Sequence, residues 1–176
     1  PLDNKGNRHP HQRVACDGIL VSVGWSPNAA LVSQAGGRFQ YSSKLHQLVP
    51  STLPGDVFVA GRANGVFDLV DQAADGERAG LAAAAHLGAY SGPLPNRPEH
   101  QGPSPSHPYP VFPDPKKKNF VDLDEDLHLV DFANAHQEGY DNVELLKRFT
   151  TVGMGPSQGK LSGFPAVRIL ARLNDA

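Results

Sequence analysis

Apolar residues run along this chain in two rhythms, and a polar stretch full of proline separates them. Residues 18–24, GILVSVG, are an apolar run closed by glycine, the pattern of a buried strand. Residues 55–61, GDVFVAG, repeat that pattern after the turn LPG and predict a second strand. Between them FQYSSKLHQLVPSTLPG reads as one short strand and a loop. Residues 67–88, FDLVDQAADGERAGLAAAAHLG, are alanine-rich and predict a long helix, with Gly88 placed to end it. Small side chains along that helix allow close packing on a sheet.

The rhythm of the last third is helical. Residues 127–139, LHLVDFANAHQEG, predict a helix of about three turns closed at Gly139. DNVELLKRF starts with Asp141 as the expected N-cap and has Glu144 three residues later, a capping-box arrangement. FPAVRILARLN puts Pro165 at the expected first helical position and spaces Val167, Leu170 and Leu173 for one face. The intervening residues 93–115 hold nine of the 16 prolines, which fix φ and remove backbone donors. They predict an extended, polyproline-like connector. The expected organisation is a polar lead-in at 1–13, a partial α/β domain at 14–91, a proline-rich connector at 92–118 and a small, mainly helical module at 119–176.

Composition narrows the classes. With 176 residues and a net charge of −2, the chain has no charge excess that points to nucleic acid or a membrane surface. No apolar run approaches the length of a membrane-spanning helix, and the mean hydropathy is −0.37. The start is polar and has neither a signal-peptide core nor an initiator Met, so a section of something longer is expected. The lone Cys16 excludes an internal disulfide and suits a reducing cytoplasm; beside an apolar run, it is expected to be a buried, inert thiol.

Two stretches carry candidate chemistry. VFVAGRANGVFDL sets glycines after an expected strand and before a helix, the edge where α/β sheets bind dinucleotides; a plain turn has the same pattern. The GxGxxG cradle is absent. TTVGMGPSQGK, residues 150–160, combines Gly153, Gly155 and Gly159 with Thr150, Thr151, Ser157, Gln158 and Lys160. That composition suits either a phosphate-sized anion or a helix-connecting turn. The acidic run Asp122, Asp124, Glu125 and Asp126 lacks EF-hand spacing and reads as a solvated helix entrance. Eight scattered histidines form no HxxxH pair, so no metal ligand is assigned. No catalytic acid, base or nucleophile is assigned either.

CDGILVSVGWSPN, LPGDVFVAGRANG and ADGERAG together resemble the closing part of the two-dinucleotide-binding flavoprotein-disulfide-reductase superfamily. The resemblance implies the C-terminal part of a Rossmann-like fold. Arg62 stands where that superfamily has an aspartate contacting the FAD ribityl chain. A guanidinium cannot accept from a hydroxyl but can sit near a pyrophosphate, which leaves NAD as the implied cofactor there.

The second module narrows the match: from about residue 14 to the end the chain resembles the alpha subunits of heterotetrameric sarcosine oxidases, with KRFTTVGMGPSQGK its most specific stretch and the proline connector its least. The resemblance implies NAD lined by Gly61, Arg62, Ala63, Asn64 and Leu69. It further implies FMN at the interface with a beta subunit, its phosphate held by Thr150, Thr151, Ser157, Gln158, Gly159 and Lys160. FAD would lie in the beta subunit and tetrahydrofolate in a later domain, with gamma and delta subunits completing the complex. The implied reaction turns sarcosine, oxygen and tetrahydrofolate into glycine, hydrogen peroxide and methylenetetrahydrofolate. Related opine, proline and cyanide-forming dehydrogenases carry a [2Fe–2S] cluster in this module. Their cysteine positions fall on Asp122, Asp124, Ser157 and Ser162, so no cluster is expected. Another amine dehydrogenase subunit, for N-methylglutamate, proline or an opine, remains an alternative, as does a non-catalytic scaffold that docks a flavoprotein.

Overall fold

The computed structural model describes residues 14–18, 20, 26–99, 102, 106, 107, 111, 113, 114 and 116–176. The architecture is mixed α/β, with two small antiparallel sheets and several helices among the described residues. The chain divides into two compact units, one formed by residues 19–108 and the other by 1–18 with 109–176. Residues 14–18 are exposed, Cys16 among them, which corrects the buried thiol expected there.

In the unit of residues 19–108 the first element among the described residues is α1 (Ala30–Gln34), a short helix that no periodicity foretold. β1 (Arg38–Ser42) and β2 (Gln47–Thr52) then pair antiparallel. The expected single strand and loop is therefore a hairpin. Pro50 lies opposite Phe39 beside a register shift between Arg38 and Phe39. A residue without an N–H is tolerated at such an irregularity. Residues 57–60 form no strand, contrary to the expectation for 55–61. A strand is defined by a paired neighbour, and the run expected to supply one, 18–24, lies outside the described residues except for 18 and 20.

A 3₁₀ turn at Gly61–Asn64 follows and ends at Gly65, whose φ is +81°. A Cβ on Gly65 would meet Val49 Cγ1 at 2.9 Å and Leu45 Cδ1 at 3.0 Å, so both dihedral and space demand glycine. α2 (Leu69–His86) is the expected long helix. Asp68 caps it, its carboxylate accepting from the N–H groups of Val70 at 2.9 Å and Asp71 at 3.3 Å. Gly88, at φ +72°, ends it as expected.

The other unit is less purely helical than its sequence suggests. β3 (Phe120–Asp122) and β4 (Leu127–His128) make a small hairpin whose turn is the acidic run 123–126. α3 (Leu129–Gln137) starts where the His128 N–H donates to Asp131 Oδ2 at 2.7 Å and stops before Gly139 at φ +93°. α4 (Val143–Thr150) and α5 (Gly163–Leu173) complete the module. Phe132, Ala135, Leu146, Val152, Ala166, Ile169 and Leu170 form its buried core.

Three local expectations change. Asn142, not Asp141, caps α4, its Oδ1 accepting from the Leu145 N–H at 3.0 Å. Pro165 is the third residue of α5 rather than the first. The N–H groups of that first turn have no intrahelical acceptor, so proline forfeits nothing there. The buried stripe of α5 is Ala166, Ile169 and Leu170 with Leu173 packed against it, and Val167 is exposed. Asn142→Ala is expected to cost the module about 1 kcal/mol, the usual worth of an N-cap, while Asp141→Ala costs much less. Urea denaturation followed by helical circular dichroism checks both; equal effects would refute the assignment.

Candidate functional site

α4 ends on Thr151 in the left-handed conformation, φ +63°, which throws the chain into the glycine-rich turn. Gly153 at φ +75° and Gly159 at φ +70° bring the two limbs of the turn together. A Cβ on Gly153 would stand 3.2 Å from Gly159 Cα, and one on Gly155 would stand 2.4 Å from Asp124 Cβ. The turn thus needs these glycines for close approach to itself and to the acidic hairpin.

That hairpin is not a solvated helix entrance. Asp122 is 2% exposed, and its Oδ2 accepts from the Gly153 N–H at 2.9 Å and the Ser162 hydroxyl at 2.7 Å. Its Oδ1 accepts from the Asp124 N–H at 3.0 Å. Asp124 Oδ2 accepts from the Ser157 N–H at 2.8 Å, and Glu125 Oε2 accepts from the Thr151 hydroxyl at 2.7 Å. Three carboxylates therefore staple a turn about 30 residues further along the chain. Burial by itself raises the Asp122 pKa. Hydrogen bonds from Gly153, Ser162, Asp124 and Glu125 outweigh it and hold the carboxyl below its ordinary value.

The residues expected at an anion divide accordingly. Thr150 is buried and its hydroxyl donates to the Leu146 carbonyl at 2.7 Å; the Thr151 hydroxyl is engaged by Glu125. The Gln158 amide donates to the Gly155 carbonyl at 3.1 Å. Lys160 is exposed, and no ion pair to it occurs among the described residues. Gln158 and Gly159 line a cleft of about 350 Å³ together with Val143, Lys147 and Val167.

The four positions aligned with cluster cysteines do converge. Asp122 meets Ser162, and Asp124 meets the backbone of Ser157. All four positions offer hard oxygens, and those of Asp122, Asp124 and Ser162 are hydrogen-bonded to one another or to the turn, so this donor set does not fit an iron–sulfur cluster, which needs thiolates. No group of three His, Cys, Asp or Glu side chains placed to hold a metal ion occurs among the described residues.

In the other unit, Asp75 from the middle of α2 is fully buried. It accepts from the Gly61 N–H at 2.9 Å and from Asn64 Nδ2 at 3.0 and 3.2 Å. Arg78 pairs with the same carboxylate at 3.1 Å. Arg97 donates through Nη2 to the Asn64 carbonyl. Of the residues expected to line NAD, Gly61 and Asn64 are thus bound internally, while Arg62 and Leu69 are exposed and Ala63 is half-buried. Sequence reading missed Asp75 and Arg97. The one available signal was the i,i+4 spacing of Asp75 and Ala79, which puts the carboxylate on the buried stripe of α2.

These features define a class: an α/β unit with a clamped turn before a long helix, joined in sequence to a small module closed over a glycine-rich turn. Residues 116–176 match the family described as the sarcosine oxidase A3 domain. Nearly the whole chain is similar to a section of sarcosine oxidase alpha subunits. It is 34% identical to the "Sarcosine oxidase subunit alpha" of Rhizobium meliloti (strain 1021) over 164 residues, which cover 92% of this chain and 16% of that protein. With the subunit of the same name from Corynebacterium sp. (strain U-96), the identity is 29% over 179 residues, covering 97% of this chain and 18% of the relative. The chain therefore spans about one sixth of the length of the curated relatives it matches. No helix among the described residues is long and apolar enough to cross a membrane.

Proposed function

We propose that this chain is a section of the alpha subunit of a multisubunit sarcosine oxidase of the cytoplasm. The observation that carries the reading is the similarity to alpha subunits over both units, with the A3 domain match in the module of the glycine-rich turn. The assembled enzyme oxidises sarcosine with oxygen and passes the one-carbon unit to tetrahydrofolate. Beta, gamma and delta subunits are its partners. FAD lies in the beta subunit and tetrahydrofolate in a later domain of the alpha subunit.

In this reading residues 14–91 are the end of a Rossmann-like dinucleotide domain. Gly61, Arg62, Ala63, Asn64 and Leu69 form one wall of an NAD site, with Asn64 holding the turn rather than the cofactor. The FMN phosphate sits at the glycine-rich turn, against Lys160, the Ser157 hydroxyl, Gln158 and the backbone of Gly159. Thr150 and Thr151 shape the turn from within. The stapling carboxylates occupy the donors on one side of the turn, so the lysine supplies most of the attraction for a dianion. The chain's own part is binding and positioning.

Lys160→Ala in the assembled complex is expected to weaken FMN retention by about tenfold, the worth of one charge-assisted contact, and to leave FAD untouched. Flavin composition by chromatography, with covalent flavin counted separately, measures it. Normal FMN content would remove the phosphate from this turn.

A further inference from the structure

A second cleft lies in the unit of residues 19–108, between β2, the 53–59 segment and α2. Its volume is about 250 Å³. Leu53, Val57 and Val59 supply apolar wall, and Ser51, Arg78 and Arg97 supply the polar lining. Roughly 300–1,000 Å³ is usual for drug-sized ligands, so this cleft suits a small molecule and not a dinucleotide.

Both guanidinium groups are held in place by the protein. Arg78 spends Nε and Nη2 on Asp75, which is itself buried and fixed by Asn64 and Gly61. Arg97 spends Nη2 on the Asn64 carbonyl. Each guanidinium carries five N–H donors, so each keeps several for a ligand. The charged residues lining the cleft are the two arginines, and Asp75 behind Arg78 offsets one of them, which leaves the Arg97 charge beside the apolar wall; Glu99 lines the neighbouring cleft with Arg97. A planar fork already oriented by internal hydrogen bonds loses little entropy on meeting an oxyanion.

We propose that this cleft binds a small organic acid. Its carboxylate would lie between Arg78 and Arg97 within reach of Ser51, and its apolar body against Leu53, Val57 and Val59. A phosphate head would offer the same chemistry, and the titration separates the two. The inference does not depend on the nicotinamide or flavin reading.

The test is an NMR titration of the isotope-labelled 176-residue chain with benzoate, inorganic phosphate and benzyl alcohol at constant ionic strength. Benzoate is expected to produce saturable shifts at the Leu53, Val57 and Val59 methyl groups, and the other two to bind at least about tenfold more weakly. Arg97→Ala should weaken benzoate by about tenfold or more, Arg97→Lys by less, and Lys118→Ala not at all. If Arg97→Ala loses its folded spectrum, Arg97→Gln, which can still donate to the Asn64 carbonyl, decides instead. Absence of saturable shifts overturns the proposal, as does unchanged affinity in the deciding Arg97 variant. Benzyl alcohol binding as tightly as benzoate would overturn the role of the arginines, and phosphate binding as tightly would overturn that of the apolar wall.

Discussion

Asp122→Ala is expected to destabilise the 116–176 module by about 4 kcal/mol, enough to unfold a small domain near its stability limit. The carboxylate accepts from Gly153, Ser162 and Asp124, and two of those donors sit on the turn that joins α4 to α5. Removing it leaves the Gly153 N–H and the buried Ser162 hydroxyl without acceptors. Each orphaned buried donor costs about 1–3 kcal/mol, and a hydrogen bond to a charged group is worth more than a neutral one. Asp122→Asn keeps one acceptor oxygen and should cost about half as much. Hydrogen exchange of the α5 amides and urea denaturation measure the effect; a loss below about 1 kcal/mol for the alanine variant would show that the staple is dispensable.

The same carboxylate makes the module acid-sensitive. Its folded pKa lies below the ordinary aspartate value of 3.8, so the folded state binds its proton less readily than the unfolded chain does. The contribution is therefore fully present above the unfolded pKa and is lost as pH falls through the folded one. Stability of the wild-type module should decline below about pH 4, and Asp122→Asn should flatten that part of the profile. A parallel profile in the variant would place the acid sensitivity elsewhere.

Asp75→Ala is the second large effect, expected at about 3 kcal/mol in the unit of residues 19–108. The fully buried carboxylate serves Gly61, Asn64 and Arg78 at once. Its loss orphans one backbone donor and one buried amide and frees an arginine that is partly exposed. The 3₁₀ turn should then open before the rest of the unit. Exchange protection at the Gly65 and Val66 amides, which close that turn on Arg62 and Gly61, reports it. Asp75→Asn should keep part of the protection. Unchanged exchange in Asp75→Ala would mean that packing against β2 and the Arg97 hydrogen bond to the Asn64 carbonyl suffice to hold the turn.

What was legible in the sequence is mostly local. Gly88 and Gly139 end their helices as expected, because a left-handed residue after a helical run is encoded at one position. The alanine-rich α2 and the amphipathic α5 follow from propensity and period. KRFTTVGMGPSQGK carried the likeness to sarcosine oxidase alpha subunits, which the A3 domain match now shows for residues 116–176.

The tertiary structure decided what depends on partners far along the chain. Asp141 and Asn142 are equally good caps by residue type, and only the backbone dihedrals select Asn142. The acidic run reads as solvated by composition, yet Asp122 is buried because donors at Gly153 and Ser162, more than 30 residues away, come to meet it. Asp75 and Arg97 join the Gly61–Asn64 turn for the same reason. Periodicity along the chain tells which face is buried and where an element stops. It carries no record of which distant donor will satisfy a buried carboxylate, because that pairing exists only once the chain has folded.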